Sequence, residues 1–135
     1  YSAAASDVYK RQERADRARQ LEGERGWTRV EPYDDLEIAA GQGTCALEMR
    51  EEAASIDRFY APIGGGGLMA GCAVTLKALC PAAEIIGCEP EDAGDTRLSL
   101  EAGKRCAIPP PRTLADGLRV RRPTSVFPSP GVLAI

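Results

Sequence analysis

The chain has 135 residues, 44% of them hydrophobic and 27% charged, and 17 Lys and Arg stand against 20 Asp and Glu for a formal net charge of −3. Such proportions describe an ordinary globular protein with one core, and without a long basic stripe no nucleic-acid partner is expected. No apolar run approaches a membrane span, so no membrane partner is expected either.

Residues 1–12, "YSAAASDVYKRQ", resemble translated sequencing-adapter sequence or an expression scar, with a native, disordered N-terminus as the alternative. From Glu13 to Gly26, Ala15, Ala18 and Leu21 at helical spacing predict a helix that Gly23 or Gly26 stops. "WTRVEPYDD" predicts a short strand that leaves its sheet at Pro32. "AAGQGT" predicts a tight turn, after which Thr44 caps a helix through "CALEMREEAA". "RFYAPI", Arg58 to Ile63, suits a buried strand, and Leu68 to Cys80 is apolar almost all round and ended by Pro81, as a buried helix would be. "AEIIGCEP" predicts the next strand, Asp95 to Ala102 a helix closed by Gly103, and "IPPPRT" a loop. Residues 121–135 are expected to be an irregular tail of a chain cut at both ends. Strand and helix alternate, so the fold class is α/β, a parallel sheet with covering helices over residues 13–120, and nothing marks a second complete domain.

Four glycines, Gly64 to Gly67, separate the first buried strand from its helix. Each costs roughly 0.5–1 kcal/mol relative to alanine inside regular structure, so the run is either a linker or a backbone that side chains would obstruct. Linkers are rarely bracketed by strand and helix without polar padding. In a βαβ unit this loop opens the helix at the carboxyl end of a strand, where ligands of open α/β sheets collect. The N–H groups there have no intrahelical partner and the helix dipole is positive, which makes the loop a phosphate cradle.

The five cysteines, Cys45, Cys72, Cys80, Cys88 and Cys106, form no CxxC pair, and the chain has no histidine. They are expected to be reduced, mostly buried thiols of a cytoplasmic protein.

Two phosphate chemistries compete for the loop. Gly65, Gly67 and Ala70 match the dinucleotide fingerprint G-x-G-x-x-A, with Glu89 about twenty residues on to take a ribose hydroxyl. That fingerprint normally sits in the first βαβ unit of its domain, whereas a strand and two helices are expected earlier here. A Walker loop fails, since no Gly-Lys-Ser or Gly-Lys-Thr follows.

The second chemistry is pyridoxal phosphate. "PYDDLEIAAGQGTCALEM", "APIGGGGLMAGCAVTLKALCP", "IIGCEPEDAGDTRLSLEAGKR" and "TLADGLRV", in that order and spacing, resemble the serine/threonine dehydratase and serine racemase group of fold-type II enzymes. The resemblance covers roughly Glu13 to Val120 and implies part of the large domain of such an enzyme.

It implies, further, that Gly64, Gly65, Gly66 and Gly67, with the backbone of Leu68, hold the cofactor phosphate. Glu89, the Ala93 carbonyl and Asp95 match a divalent-cation site of the family, hard oxygen ligands suited to Mg²⁺ or Ca²⁺; the alternative is that Glu89 and Asp95 form a solvated turn and a helix cap. Gly117 matches a turn near the cofactor ring. No catalytic residue is assigned in this chain: the family's catalytic lysine and the polar partner of the pyridine nitrogen match segments outside it, and neither Lys77 nor Lys104 is placed to serve. The implied activity is that of an L-serine or L-threonine ammonia-lyase, which releases a 2-oxo acid and ammonia from a small amino-acid substrate, in a homo-oligomer when full length. Racemisation of serine, or a dinucleotide-binding module without chemistry of its own, are the alternatives.

Overall fold

A computed structural model describes residues 11–121 and 123–125; residues 1–10 of the adapter-like start 1–12, and residues 126–135 of the tail, lie outside the described residues, whereas Arg11 and Gln12 are helical. The chain divides into two compact units, Tyr1–Val30 and Glu31–Ile135.

In the first unit a helix, α1, spans Arg11–Arg25. Its exposed face is laced by pairs at helical spacing, Arg19 with Asp16 and Gln20 with Glu24. Of the two glycines able to stop it, Gly26 does so: its backbone is left-handed at φ 63°, and its N–H donates to the Glu22 carbonyl at 3.0 Å. Trp27 then lies under the Arg25 guanidinium, 5.0 Å from ring centroid to charge. The expected strand "WTRVEPYDD" does not form. Residues 27–31 run without regular hydrogen bonding, because β-propensity makes a strand only where a partner offers a ladder.

Near the start of the second unit the Asp35 side chain accepts the N–H groups of Glu37 at 2.8 Å and Ile38 at 3.3 Å. That cap starts α2, Leu36–Glu52, nine residues before the cap expected at Thr44. "AAGQGT" is therefore helix interior rather than a turn, and Thr44 returns its hydroxyl to the Gly41 carbonyl at 2.8 Å. The glycines that suggested a turn serve packing instead. A Cβ on Gly43 would stand 2.9 Å from the Gly71 carbonyl oxygen of the next helix, and one on Gly71 would collide with the Ala39 carbonyl.

Next come β1, Arg58–Pro62, α3, Gly67–Leu79, and β2, Glu84–Cys88. The two strands are parallel, Arg58 beside Glu84 through Pro62 beside Cys88, as a βαβ unit requires. On each strand alternate residues are buried, among them Phe59, Ala61 and Ile85, and they meet Met69, Cys72, Ala73 and Leu76 of α3 and Ala46 of α2. Fully burying a side chain such as Leu76 contributes roughly 1.5–3 kcal/mol. The helix α3 is not buried all round, since Val74 is 67% exposed.

A 3₁₀ turn, Glu91–Ala93, leads into α4, Asp95–Ala102, closed by left-handed Gly103 as its sequence predicts. Only Cys72 of the five free cysteines is buried; Cys45 and Cys88 are exposed and the other two intermediate, which corrects the expectation of mostly buried thiols. Burial pushes the Cys72 thiol up to about 11, and neighbouring Cys45 adds to the shift. Among the described residues no helix is long and apolar enough to cross a membrane.

Candidate functional site

The glycine loop joins the end of β1 to the start of α3. Gly66 is the N-cap of that helix, left-handed at φ 101°, a conformation other residues adopt only with strain, and its carbonyl accepts the Ala70 N–H at 2.8 Å. The remaining glycines are fixed by close neighbours. A Cβ on Gly65 would fall inside the Tyr33 ring, one on Gly67 would stand 3.1 Å from the Tyr33 Cα, and one on Gly64 would stand 3.0 Å from the Gly117 carbonyl oxygen. Gly117 belongs to a 3₁₀ turn, Asp116–Leu118, so the "ADGL" segment forms one wall of the loop and Tyr33 another.

Among the described residues, the N–H groups of Gly64, Gly65, Gly66, Gly67 and Leu68 donate to no backbone carbonyl. The first turn of α3 carries no acidic side chain to compete for them. A row of donors with the positive end of a 13-residue helix behind it fits an anion of phosphate size.

The loop is tied to three distant segments that sequence reasoning missed. Thr124, fully buried, donates its backbone N–H to the Gly65 carbonyl at 2.8 Å. Its hydroxyl donates to Asp34 Oδ1 at 2.9 Å, with the Tyr33 carbonyl at 3.3 Å beside it. Asp34 Oδ1 also accepts the N–H and the hydroxyl of Ser125, both at 2.6 Å, and Asp34 Oδ2 faces Arg105 at 3.3 Å. Arg105 in turn reaches the Pro123 carbonyl at 2.7 Å. The Ser125 hydroxyl and N–H, then the Thr124 hydroxyl and the Arg105 charge, hold the Asp34 carboxyl down at about 2. "PYDD" was legible only as a piece of a family pattern, and Thr124 fell within the supposed tail.

Beyond β2, Glu89 accepts the N–H groups of Thr96 at 3.0 Å and Arg97 at 2.9 Å, which caps α4 from outside the helix. Both its oxygens thus accept from the first turn of α4. Asp95 is 1% exposed and its Oδ2 has no hydrogen-bond partner among the described residues; burial, with the Glu89 charge second, pushes its carboxyl up to about 6. Ala93 is buried in the 3₁₀ turn just before. Among the described residues no group of three or more His, Cys, Asp or Glu is placed to hold a metal ion. Lys77 donates to the Ala83 carbonyl at 2.8 Å, at the far end of α3 from the loop, and Lys104 is exposed beyond Gly103.

Residues 4–133 match the family described as pyridoxal-phosphate dependent enzyme. L-threo-3-hydroxyaspartate ammonia-lyase of Saccharomyces cerevisiae is 39% identical over 110 residues, which are 82% of this chain and 34% of that protein. Serine racemase of Arabidopsis thaliana is 45% identical over 96 residues, 71% of this chain and 29% of that protein. Among solved structures, the T.th. threonine deaminase superposes with a TM-score of 0.81 at 39% identity, over 89% of this chain and 44% of that one. The chain spans about a third of the length of these curated relatives. Since sequence and backbone point the same way over most of its length, the chain belongs to the pyridoxal-phosphate dependent enzymes of fold type II.

Proposed function

We propose that this chain is part of an ammonia-lyase acting on L-serine or L-threonine, in which the loop from Gly64 to Leu68 holds the phosphate of pyridoxal phosphate. The observation that carries the cofactor assignment is the row of N–H groups at the head of α3 that have no carbonyl partner among the described residues. The lyase part is supported by the names of the yeast and T.th. relatives, an ammonia-lyase and a deaminase. When bound, pyridoxal phosphate supplies an electron sink for the charge left at the substrate Cα once its proton is removed. The net reaction would remove the α-proton and the β-hydroxyl together as one water and add one water back as ammonia is released, leaving a 2-oxo acid. This chain's share is binding: its backbone donors hold the phosphate, and Tyr33 and Gly117 wall the loop. Lys77, committed to the end of α3, and Lys104 are not proposed to act, and the chain alone is proposed to be inactive.

Glu89, the Ala93 carbonyl and Asp95 are proposed to take Mg²⁺ or Ca²⁺. Support comes from Asp95 Oδ2, a buried carboxylate oxygen without a partner among the described residues, since a cation would offset the cost of leaving it bare. A serine racemase is the second reading, favoured by the Arabidopsis relative. The test incubates the full-length protein with pyridoxal phosphate and L-serine, L-threonine or L-threo-3-hydroxyaspartate, and follows 2-oxo acid and D-enantiomer together. Release of 2-oxo acid supports the lyase, D-serine without it supports the racemase, and neither product with any of the three overturns both. Melting temperature with and without Mg²⁺ tests the cation, because a ligand bound only to the native state must raise it.

A further inference from the structure

We infer that Asp34 and Thr124 form a clamp that sets the Gly65–Gly66 peptide so that the Gly66 N–H faces the phosphate, an inference that rests on the phosphate-loop reading above. A peptide unit between two glycines meets little steric resistance to flipping, because neither residue has a Cβ to bias its dihedrals. The direction of the Gly66 N–H therefore has to be fixed by something else. In a trans peptide the C=O and the following N–H point to opposite sides, and this chain has no cis bond among the described residues. The Gly65 carbonyl is held by the Thr124 N–H at 2.8 Å. The Gly66 N–H is thereby turned away from Thr124, to the other side of the loop.

Thr124 can act as an anchor because it is itself immobilised. Its hydroxyl and both donors of Ser125 converge on Asp34 Oδ1 at 2.6 to 2.9 Å, and Arg105 bridges Asp34 Oδ2 to the Pro123 carbonyl. Asp34 is joined to Tyr33, whose ring covers Gly65. One carboxylate thus couples the segment before α2, an arginine just after α4 and the segment 123–125 to a single peptide plane. Thr124 and Asp34 are positioning residues: they act through the loop and need not touch the cofactor.

The test compares the affinities of the full-length protein for pyridoxal phosphate and for pyridoxal, which lacks the phosphate, by fluorescence titration. Thr124→Val removes the hydroxyl at nearly constant volume, Asp34→Ala removes the whole hub, and Thr124→Ser restores the hydroxyl. Thr124→Val is expected to weaken pyridoxal phosphate about threefold to tenfold and to leave pyridoxal unchanged. Asp34→Ala is expected to weaken it further, and Thr124→Ser to recover the wild-type preference. Equal weakening of both ligands, or none, in Thr124→Val and Asp34→Ala overturns the clamp alone, provided that the wild type prefers pyridoxal phosphate. A wild type that binds pyridoxal as tightly removes the phosphate-loop reading and the clamp with it.

Discussion

Gly66 concentrates the demands of the site in one residue. At φ 101° a side chain costs roughly 1–2 kcal/mol of backbone strain, and the same position presents its N–H where an anion is proposed to sit. Gly66→Asp adds a like charge to that strain, so the full-length protein is expected to lose bound cofactor, read as visible absorbance after gel filtration. Gly66→Ala carries the strain without the charge and should retain part of it. Full retention by the aspartate variant would contradict the phosphate assignment. Asp34 offers a second residue-scale outcome, through pH. Its carboxyl is held at about 2 in the fold, against an ordinary 3.8, so the folded state favours the charged form. The stability this contributes is complete above the ordinary value and disappears as pH falls through about 2. Between about pH 5 and about pH 2 the wild type should therefore lose more melting temperature than Asp34→Asn, which has no carboxylate to protonate. Parallel decline of the two proteins would show that the hub adds nothing to stability.

At the scale of elements, the crossing of α2 and α3 carries the unit, and its glycines are not equivalent. A Cβ on Gly71 would run into the Ala39 carbonyl and stand 2.6 Å from the Gly43 nitrogen, all backbone that cannot step aside. Gly71→Ala should force the helices apart and cost on the order of 1–3 kcal/mol or more, read by urea unfolding. Gly41, in the interior of the same α2, has nothing within 4 Å of its missing Cβ. Gly41→Ala should stabilise by about 0.5–1 kcal/mol, the helix propensity alone. Opposite signs for two glycine-to-alanine changes would separate packing from propensity, whereas equal signs would refute the close approach. This distinction also explains what the sequence could show. The strands β1 and β2, the helix α3 and the boundaries of α4 were legible because apolar runs, Pro81 and Gly103 mark them locally. The start of α2 was not, since "GQG" reads as a turn unless the partner helix that needs small residues is known. The short strand expected from Trp27 up to Pro32 failed for a similar reason, because a ladder partner is a tertiary fact. The glycine loop was found from its flanks, but Tyr33, Asp34, Arg105 and Thr124 lie up to 91 positions apart and share no spacing.

At the scale of the whole molecule, β1 and β2 pair only with one another among the described residues, and both alternate exposed and buried positions, save that Ile86 in β2 is half-buried. The buried face meets α2 and α3. The other presents Arg58, Tyr60 and Pro62 beside Glu84 and Cys88, with Tyr60 58% exposed. Parallel sheets are normally covered on both faces, and two strands alone are marginal in water. The relatives are about three times as long as the stretch that matches them, so the proposed catalytic unit needs more chain than these elements supply. The 135-residue chain by itself is therefore expected to release no 2-oxo acid from L-serine or L-threonine, even with pyridoxal phosphate in excess, and to bind a hydrophobic dye at its uncovered sheet face. Tyr60→Lys should reduce that dye binding without lowering the melting temperature of the isolated chain, because the substituted side chain already faces water. Borohydride treatment with the cofactor is expected to leave no stable adduct on Lys77, whose ammonium is held by the Ala83 carbonyl, or on Lys104. Turnover above a cofactor-only control would show that the chemistry resides in this chain, and a stable adduct on Lys77 or Lys104 that this lysine carries it.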